Sequence, residues 1–196
     1  MRQQTQRALI ISLVVLLLLS ACSDKTSDWK RFSIEQEPAL NIEFRLPPGW
    51  LLDYAPTRDK SGQWEITLVP PKCAPEQQIE YQKNCVTLIA HIKGIDTFNK
   101  ESFFEVTGQD IPLSRDGDRA ALFLGQESFR VNRIKIDRFN HLITSVQDEV
   151  QMSTYFFETD GAYFTFITNF PYDMEDNEAV DNFSLLLSSL KKTGDS

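Results

Sequence analysis

The sequence predicts an α+β domain in which an antiparallel sheet is covered by a short internal helix and a long C-terminal helix. Several segments alternate apolar and polar residues, two aromatic segments flank an Asp-Gly turn, and the chain ends in apolar residues at helical spacing. Strands grouped along the chain, with helices set apart from them, are typical of an antiparallel sheet with helices on its faces.

Three strands are expected in the first half of the domain. Apolar and polar residues alternate from Leu40 to Leu46, and this segment ends at Pro47-Pro48-Gly49, where proline cannot donate to a strand ladder. The segments Trp64–Val69 and Val86–Lys93 alternate in the same way. Strict alternation predicts strands with one buried and one exposed face.

A short helix is expected from Asn99 to Thr107, because Asn99 or Thr97 can accept hydrogen bonds from the first free N–H groups of a helix. Its inward stripe would consist of Phe98, Phe103 and Val106.

Two further strands are expected at Ala120–Leu124 and Phe129–Ile136. Within the second, the apolar residues change phase between Val131 and Ile134. A change of phase inside a strand predicts a β-bulge.

The clearest hairpin signal joins Val150–Phe157 to Ala162–Phe170 through a turn that contains Asp160-Gly161, a favoured tight-turn pair. A helix is expected from about Glu175 to Lys192, because acidic residues crowd its start and lysines lie at its end, as the helix dipole favours. Its inward-facing apolar residues are Ala179, Phe183, Leu186, Leu187 and Leu190.

Residues 1–21 have the pattern of a secretory signal. Arg2 and Arg7 precede the apolar run Ala8–Leu19, whose roughly 12 residues are fewer than the about 20 that a membrane-spanning helix needs. The run ends at Leu19-Ser20-Ala21-Cys22, which resembles the bacterial lipobox. The alternative is an ordinary export signal that is cut after Ala21 and leaves Cys22 free.

The lipobox resemblance implies that Cys22 carries a diacylglyceryl group, that the leader is cut just before it, and that fatty acyl chains such as palmitate anchor the mature chain. Two buried acyl chains anchor a protein stably in a bilayer. In this family an aspartate directly after the cysteine commonly retains the protein at the inner membrane. Ser23 stands there instead, so we expect a periplasm-facing protein of the outer membrane rather than the inner one.

The chain is acidic, with 20 Lys+Arg, 28 Asp+Glu and a formal net charge of −8. Without Arg2 and Arg7, 18 basic residues face 28 acidic ones, a net charge of about −10 for the mature part. This charge argues against nucleic acid as a partner, since phosphates need a basic face. It also disfavours attraction to anionic lipid heads, and it is compatible with a basic protein partner.

Cys73 and Cys85 remain as an even pair in an oxidising compartment, which predicts a disulfide between them. It would close the polar loop 74–84. Two cysteines at this spacing without a nearby histidine do not make a zinc site, and a Cys-x-x-Cys redox motif is absent.

These features divide the chain into a signal peptide (1–21), a lipidated tether (22–38) and one domain (39–193). The layout resembles the PsbP/DcrB-like superfamily of small α/β/α sandwich domains, through Ile42–Trp50, the Phe170-Pro171 end of the aromatic hairpin, and Asp181–Lys191 in the last helix. The resemblance implies the fold, and members of that group look like protein-binding modules rather than catalysts.

No catalytic residue, cofactor or metal site is expected. His91 lies on the polar-facing side of its strand, His141 lies near a turn, and neither belongs to a catalytic motif. Asp116-Gly117-Asp118 lacks the further oxygens of a calcium loop and predicts a turn. No pattern identifies a ligand-binding set.

The leading hypothesis is therefore a non-enzymatic lipoprotein that binds another protein in the periplasm. A sharper version is an immunity protein that blocks a secreted antibacterial effector. One alternative is an accessory factor in envelope assembly. The competing class is a small-ligand carrier or a hydrolase, which would require a polar cleft.

Overall fold

The computed structural model describes residues 25–34, 37–52, 57–58, 63–71, 86–95, 98–112, 119–145, 149–171 and 178–193. Cys22, Cys73, Cys85 and the segment Asp116–Asp118 lie outside these residues. The lipidation site, the disulfide and the acidic turn therefore stay predictions from the sequence.

The described residues contain twelve strands and two helices. The strands are β1 (Lys30–Ser33), β2 (Ile42–Leu46), β3 (Leu51–Leu52), β4 (Thr57–Arg58), β5 (Gln63–Val69), β6 (Val86–Ile92), β7 (Ile111–Pro112), β8 (Arg119–Val131), β9 (Ile134–Ser145), β10 (Glu149–Glu158), β11 (Ala162–Pro171) and β12 (Lys191–Lys192). The helices are α1 (Lys100–Thr107) and α2 (Glu178–Ser188).

These strands form two antiparallel sheets. The large sheet has the order β3-β5-β6-β11-β10-β9-β8-β7, with β4 also beside β5, and the small sheet has the order β1-β2-β12. The predicted α+β class, an antiparallel sheet with a short internal helix and a C-terminal helix, is confirmed. The aromatic hairpin is confirmed as β10 and β11, which pair from Val150–Pro171 to Glu158–Tyr163.

The main core lies between one face of the large sheet and the layer made by the small sheet and α2. Phe44 of β2 meets Phe166 edge-on with ring centroids 5.8 Å apart, and Phe183 of α2 lies 5.1 Å from Tyr155 and 5.6 Å from Phe166. Each such side chain, when fully buried, stabilises the fold by roughly 1.5–3 kcal/mol. The fully buried large side chains of this core include Phe44, Phe157, Phe164, Phe166, Phe183, Leu40, Ile42, Ile66, Leu68 and Leu88.

The segment expected to be a tether (22–38) is corrected for its second half. Lys30–Ser33 forms β1, which pairs with β2 from Lys30–Leu46 to Ser33–Glu43. Ile34 is buried, and Trp29 and Phe32 pack against the core. Apolar residues that looked isolated in a polar segment are therefore the points at which this segment docks on the domain.

The region from 119 to 145 also differs from the expectation. Ala120–Leu124 is a strand as predicted, but it is only part of β8, which runs unbroken to Val131. The bounds predicted for Phe129–Ile136 are wrong, since this segment joins the end of β8 to the start of β9 at Ile134. The change of phase marks a two-residue hairpin turn, in which Asn132 and Arg133 have φ values of 44° and 70°. The register shift of this pair lies instead between Phe123 and Gly125.

The last helix is shorter than expected at its C-terminal end. It ends at Ser188, and Lys191–Lys192 pairs with β2 as the strand β12. Phe183, Leu186 and Leu187 face the core as predicted. Leu190 is also buried, although it lies beyond the helix end, because the chain turns there into the small sheet.

Within the described residues, no helix has the length and apolar character needed to cross a bilayer.

Candidate functional site

The second face of the large sheet is covered in part by α1. The Oδ1 atom of Asn99 accepts hydrogen bonds from the N–H groups of Glu101 (3.1 Å) and Ser102 (3.3 Å), so the predicted cap is confirmed. The predicted inward stripe is partly wrong, because Val106 is 51% exposed. Phe104 takes its place, since its ring lies 5.0 Å from that of Phe156 in the sheet.

An aromatic cluster holds α1 on this face. Phe103 lies 5.1 Å from Phe156, and Phe104 lies 5.4 Å from Phe139 of β9. Phe98, just before the helix, stacks on the ring of His91 at 4.5 Å. None of the helix residues is fully buried. The short helix is therefore held by the contacts of a few rings.

An open groove of about 540 Å³ lies between α1 and the β8–β9 hairpin. This volume falls within the range of small-molecule sites in proteins, roughly 300–1,000 Å³. The groove is lined by Lys100, Phe104, Gly108, Phe123, Gln126, Ser128, Lys135, Asp137 and Phe139. It thus combines three aromatic rings with two lysines and one carboxylate.

The carboxylate of the groove is already engaged. Ser128 donates a short hydrogen bond from its Oγ atom to Asp137, and Lys135 Nζ lies 2.9 Å from Oδ1 and 3.1 Å from Oδ2 of the same residue. Ser128 and Asp137 are directly opposite on β8 and β9, which brings their side chains together. The negative charge of Asp137 is therefore balanced within the hairpin.

Lys100 brings a second cation to the groove. Its Nζ atom lies 2.6 Å from Oε1 of Glu158, while Lys93 lies 2.8 Å from Oε2. Hydrogen bonds from Lys100 and then Lys93 lower the pKa of Glu158 below its ordinary value. Lys100 Nζ also lies 5.5 Å from the centre of the Phe156 ring, within the range of a cation–π contact.

The two histidines occupy different environments. His91 is on the polar-facing side of β6 as predicted, but it is half-buried beneath Phe98. His141 was expected near a turn and is instead in the middle of β9, only 1% exposed. Neither of its ring nitrogens forms a hydrogen bond within the part of the chain that the structure describes.

Burial lowers the pKa of His141, and the carbonyl of Thr107 and the charge of Asp110 only partly oppose this shift.

These side chains do not form a nucleophilic site. Ser128 donates to Asp137, whereas His141 lies four residues from Asp137 along β9, about 13 Å at the rise of a strand. Among the described residues, no group of three or more His, Cys, Asp or Glu side chains is arranged to hold a metal ion. The groove offers charged groups, hydrogen-bonding groups and apolar surface, with which it could bind a ligand or another protein.

The groove adjoins an edge of the large sheet. On its outer side β8 pairs with β7 only at Ala120 and Ala121, and no other described strand pairs with that side. Asp110 accepts the N–H of Phe123 at 2.7 Å, just where this pairing stops. Leu122 and Leu124 are 49% and 46% exposed. This edge was missed in the sequence, although Asn at a turn position before Ile134 was a signal for the hairpin.

No family model matches this chain, and no curated protein sequence matches it. Solved structures do match. The solution structure of cyanobacterial PsbP (CyanoP) from Synechocystis sp. PCC 6803 has a TM-score of 0.50 at 15% identity, covering 87% of this chain and 96% of that one. A protein from Bacteroides thetaiotaomicron VPI-5482 has a TM-score of 0.48 at 8% identity, over 85% of this chain and 49% of that one. The likeness to CyanoP shows a PsbP-like fold, as the resemblance predicted.

Proposed function

We propose that this chain is a membrane-anchored periplasmic lipoprotein that works as a non-enzymatic protein-binding module. One observation supports it most: the outer edge of β8 has no strand partner beyond Ala121 among the described residues and carries the exposed Leu122 and Leu124. Folded proteins usually cover or shorten such edges, because open edges pair with other chains. A long edge beside an aromatic groove therefore favours a macromolecular partner.

The proposed location rests on Leu19-Ser20-Ala21-Cys22. A thioether-linked diacylglycerol at Cys22 would anchor the domain at the outer membrane, facing the periplasm. The oxidising environment there would maintain a disulfide between Cys73 and Cys85.

In the sharper form of the proposal, the module is an immunity protein that blocks a secreted antibacterial effector. The anchor raises the concentration of the module where an effector would arrive. The net charge of about −10 for the mature part would speed the approach of a basic effector. A role in envelope assembly uses the same anchor and the same edge, with a resident partner in place of an effector.

A small-ligand carrier is the second candidate, favoured by the groove of about 540 Å³. Native mass spectrometry of the chain purified from membranes separates the two classes. A small molecule that stays bound in stoichiometric amount would favour the carrier, and a stoichiometric protein partner would favour the binding module.

The test of the location uses the wild-type chain and Cys22→Ser in the bacterium that encodes it. We expect radiolabelled palmitate to enter the wild-type chain and not the variant, and the variant to leave the membrane fraction. A wild-type chain that takes up no label would refute the lipoprotein proposal.

The test of the immunity form is a competition between siblings. Deletion of the gene should sensitise cells to a sibling that secretes its effectors, and wild type should restore survival better than Cys22→Ser. A deletion strain that survives as well as its parent beside every effector-secreting sibling contradicts the immunity form. Envelope defects in the deletion strain alone would then favour the assembly role.

A further inference from the structure

The turn between β8 and β9 determines which backbone groups of β8 point away from β9. Asn132 and Arg133 both have positive φ, as a two-residue type I′ turn requires. In such a hairpin the flanking residues Val131 and Ile134 form a hydrogen-bonded pair. Hydrogen-bonded and non-hydrogen-bonded pairs then alternate along the strands. Gln126, Ser128 and Arg130 therefore direct their N–H and C=O groups outward, away from β9.

The same residues face the groove. Gln126 and Ser128 line it, and Arg130 lies on the same side of the strand two residues further on. The register from Gln126–Phe139 to Val131–Ile134 has no shift, so this alternation is unbroken. A strand added beside β8 would place alternate side chains on the α1 face, next to the groove.

The hairpin tip beside the groove carries positive charge that no described carboxylate balances. Lys100 and Lys135 line the groove as ion-pair partners of Glu158 and Asp137, whereas Arg130 and Arg133 are exposed at the tip and form no ion pair with a described residue. Glu127 lies on the opposite face of β8, where its carboxylate is 2.7 Å from Arg138. In a chain with a net charge of −8, the hairpin tip is therefore locally cationic. Phe104, Phe123 and Phe139 provide apolar surface beside it.

We infer that the β8 edge, residues 124–131, binds an extended segment of a partner protein by strand addition. The segment presents an acidic side chain to Lys100 and Lys135 and an apolar side chain to the phenylalanines of the groove. Main-chain hydrogen bonds supply the affinity in this mode of recognition, and alternate side chains supply the specificity. The inference rests on the proposed function, because it names the surface and the chemistry by which the module recognises its partner.

This local preference is compatible with a basic partner as a whole. The net charge of the chain acts on a partner at long range and speeds encounter. At contact, the groove lysines meet only the segment that is added to β8. The effect of salt on association should depend on the net charge of the chain. The preference for an acidic residue in the docked segment should depend on the groove lysines.

The test uses the full-length chain, purified from membranes in detergent, and a phage-displayed library of random octapeptides as the probe. We expect enriched peptides to share one acidic residue flanked by β-branched or aromatic residues. Bound peptide should slow hydrogen exchange of the amides of Gln126, Ser128 and Arg130 and leave those of α2 unchanged. Enriched peptides without an acidic preference, or slowed exchange confined to other strands, would overturn the inference.

Ser128→Pro and Ser128→Ala form a matched pair. Both remove the hydroxyl that bonds Asp137, but only proline removes the outward N–H, which takes no part in the ladder with β9. We expect enriched peptides to bind Ser128→Pro at least tenfold more weakly than Ser128→Ala. Equal affinity for the two variants would refute strand addition. If Ser128→Pro does not fold, Arg130→Pro against Arg130→Gln makes the same comparison.

Lys135→Gln tests the charge. Selection against this variant should give peptides that have lost the acidic preference, while the protection of the β8 amides persists. An unchanged acidic preference in both Lys135→Gln and Lys100→Gln would contradict the assigned role of the lysines. Concentration-dependent dimerisation with protection of the same amides, without peptide, would assign the edge to a second copy and overturn the inference.

Failure of this inference is distinct from failure of the proposed function. If peptides ignore the edge while the deletion strain is still sensitised or a stoichiometric partner is still found, the module binds its partner through another surface. If neither result is obtained, the proposed function fails as well.

Discussion

A Cβ atom placed on Gly161 would lie 2.5 Å from the carbonyl oxygen of Ala39, closer than real Cβ atoms approach any heavy atom outside their own chain neighbours. This contact brings the β10–β11 turn against the chain just before β2. The carbonyl of Gly161 also accepts the N–H of Lys93 at 2.9 Å. The tip of the aromatic hairpin is thus packed against the segment that leads into β2.

Gly161→Ala should therefore destabilise the domain by about 2 kcal/mol, because backbone atoms on both sides would have to move apart. Urea unfolding followed by tryptophan fluorescence measures the change in the free energy of unfolding. Gly94→Ala is the comparison, since Gly94 has φ +80° but nothing within 4 Å of its added Cβ, so that only a conformational cost of about 1 kcal/mol is expected. A Gly161→Ala chain as stable as wild type would contradict the close packing.

Asn132 links the β8–β9 hairpin to the end of α2. Its Nδ2 atom donates to the carbonyl of Ser188 (3.2 Å), the last residue of the helix, and to that of Leu190 (2.9 Å), just beyond the helix. Asn132→Gly keeps the left-handed backbone and removes these bonds, so the free energy of unfolding should fall by about 1 kcal/mol.

Arg133→Gly is the matched change at the neighbouring position. It relieves a φ of 70° and removes no bond to α2, so stability should be unchanged or rise by up to about 1 kcal/mol. Equal destabilisation by both variants would mean that the turn conformation, and not the link to α2, determines the effect of Asn132→Gly.

Strict alternation was enough to find the strands β2, β5 and β6, because buried apolar residues occupy every second position in their own sequences. The strands β10 and β11 were found instead from their aromatic residues and the Asp160-Gly161 turn between them. The strand β9 was not found beyond Ile136. Asp137 and His141 put polar residues at positions that are buried beneath α1 and its neighbouring chain and do not face solvent. Their partners lie on other elements, so the local sequence pattern does not predict that these positions are buried by tertiary contacts.

The groove was missed for the same reason. Its lysine Lys100 pairs with Glu158, 58 residues away, and its carboxylate Asp137 pairs with Ser128 across a hairpin turn. The turn itself was taken for a bulge, because Arg133 is a rare residue at a positive φ. Predicting this site required the register of β8 on β9, which depends on that turn.

Cys73 and Cys85 should be joined by a disulfide in the exported protein. The strands β5 and β6 pair as far as Leu68–Val86, which is consistent with a disulfide that closes the connection between them. The intact mass without reductant should be lower by two hydrogen atoms than the mass after reduction. Reduction should lower the free energy of unfolding by about 3 kcal/mol. Two free thiols in protein taken directly from the periplasm would refute the pairing.

Phe104 should contribute more to the attachment of α1 than its neighbours on the outer side of the helix. Phe104→Ala removes a half-buried ring that contacts Phe139 and Phe156, so we expect a loss of about 2 kcal/mol. Hydrogen exchange of the α1 amides should also become faster. Val106→Ala, at a position that is 51% exposed, should change stability by less than about 0.5 kcal/mol. If Val106→Ala destabilised the domain more than Phe104→Ala, the result would support the inward stripe expected from the sequence, which contains Val106 and not Phe104.

The free energy of unfolding should depend on pH through His141. Its pKa in the folded chain is below the ordinary value of 6.5, because burial disfavours the charged ring. As the pH falls below about 6.5, the unfolded chain takes up this proton before the folded chain does, and the folded state loses stability. The groups that face the ring are Phe123, the Thr107 carbonyl and the Asp110 carboxylate, and the last two only partly oppose the shift.

The measurement compares wild type with His141→Leu between pH 7.5 and pH 5. This window lies above the ordinary pKa of 4.5 of Glu158, whose contribution is present there and is lost only at lower pH. We expect the stability of wild type to fall more steeply across the window than that of His141→Leu, because leucine fills the site without titrating. If the free energy of unfolding changed with pH in the same way in both chains, protonation of His141 would not be the cause of the pH dependence.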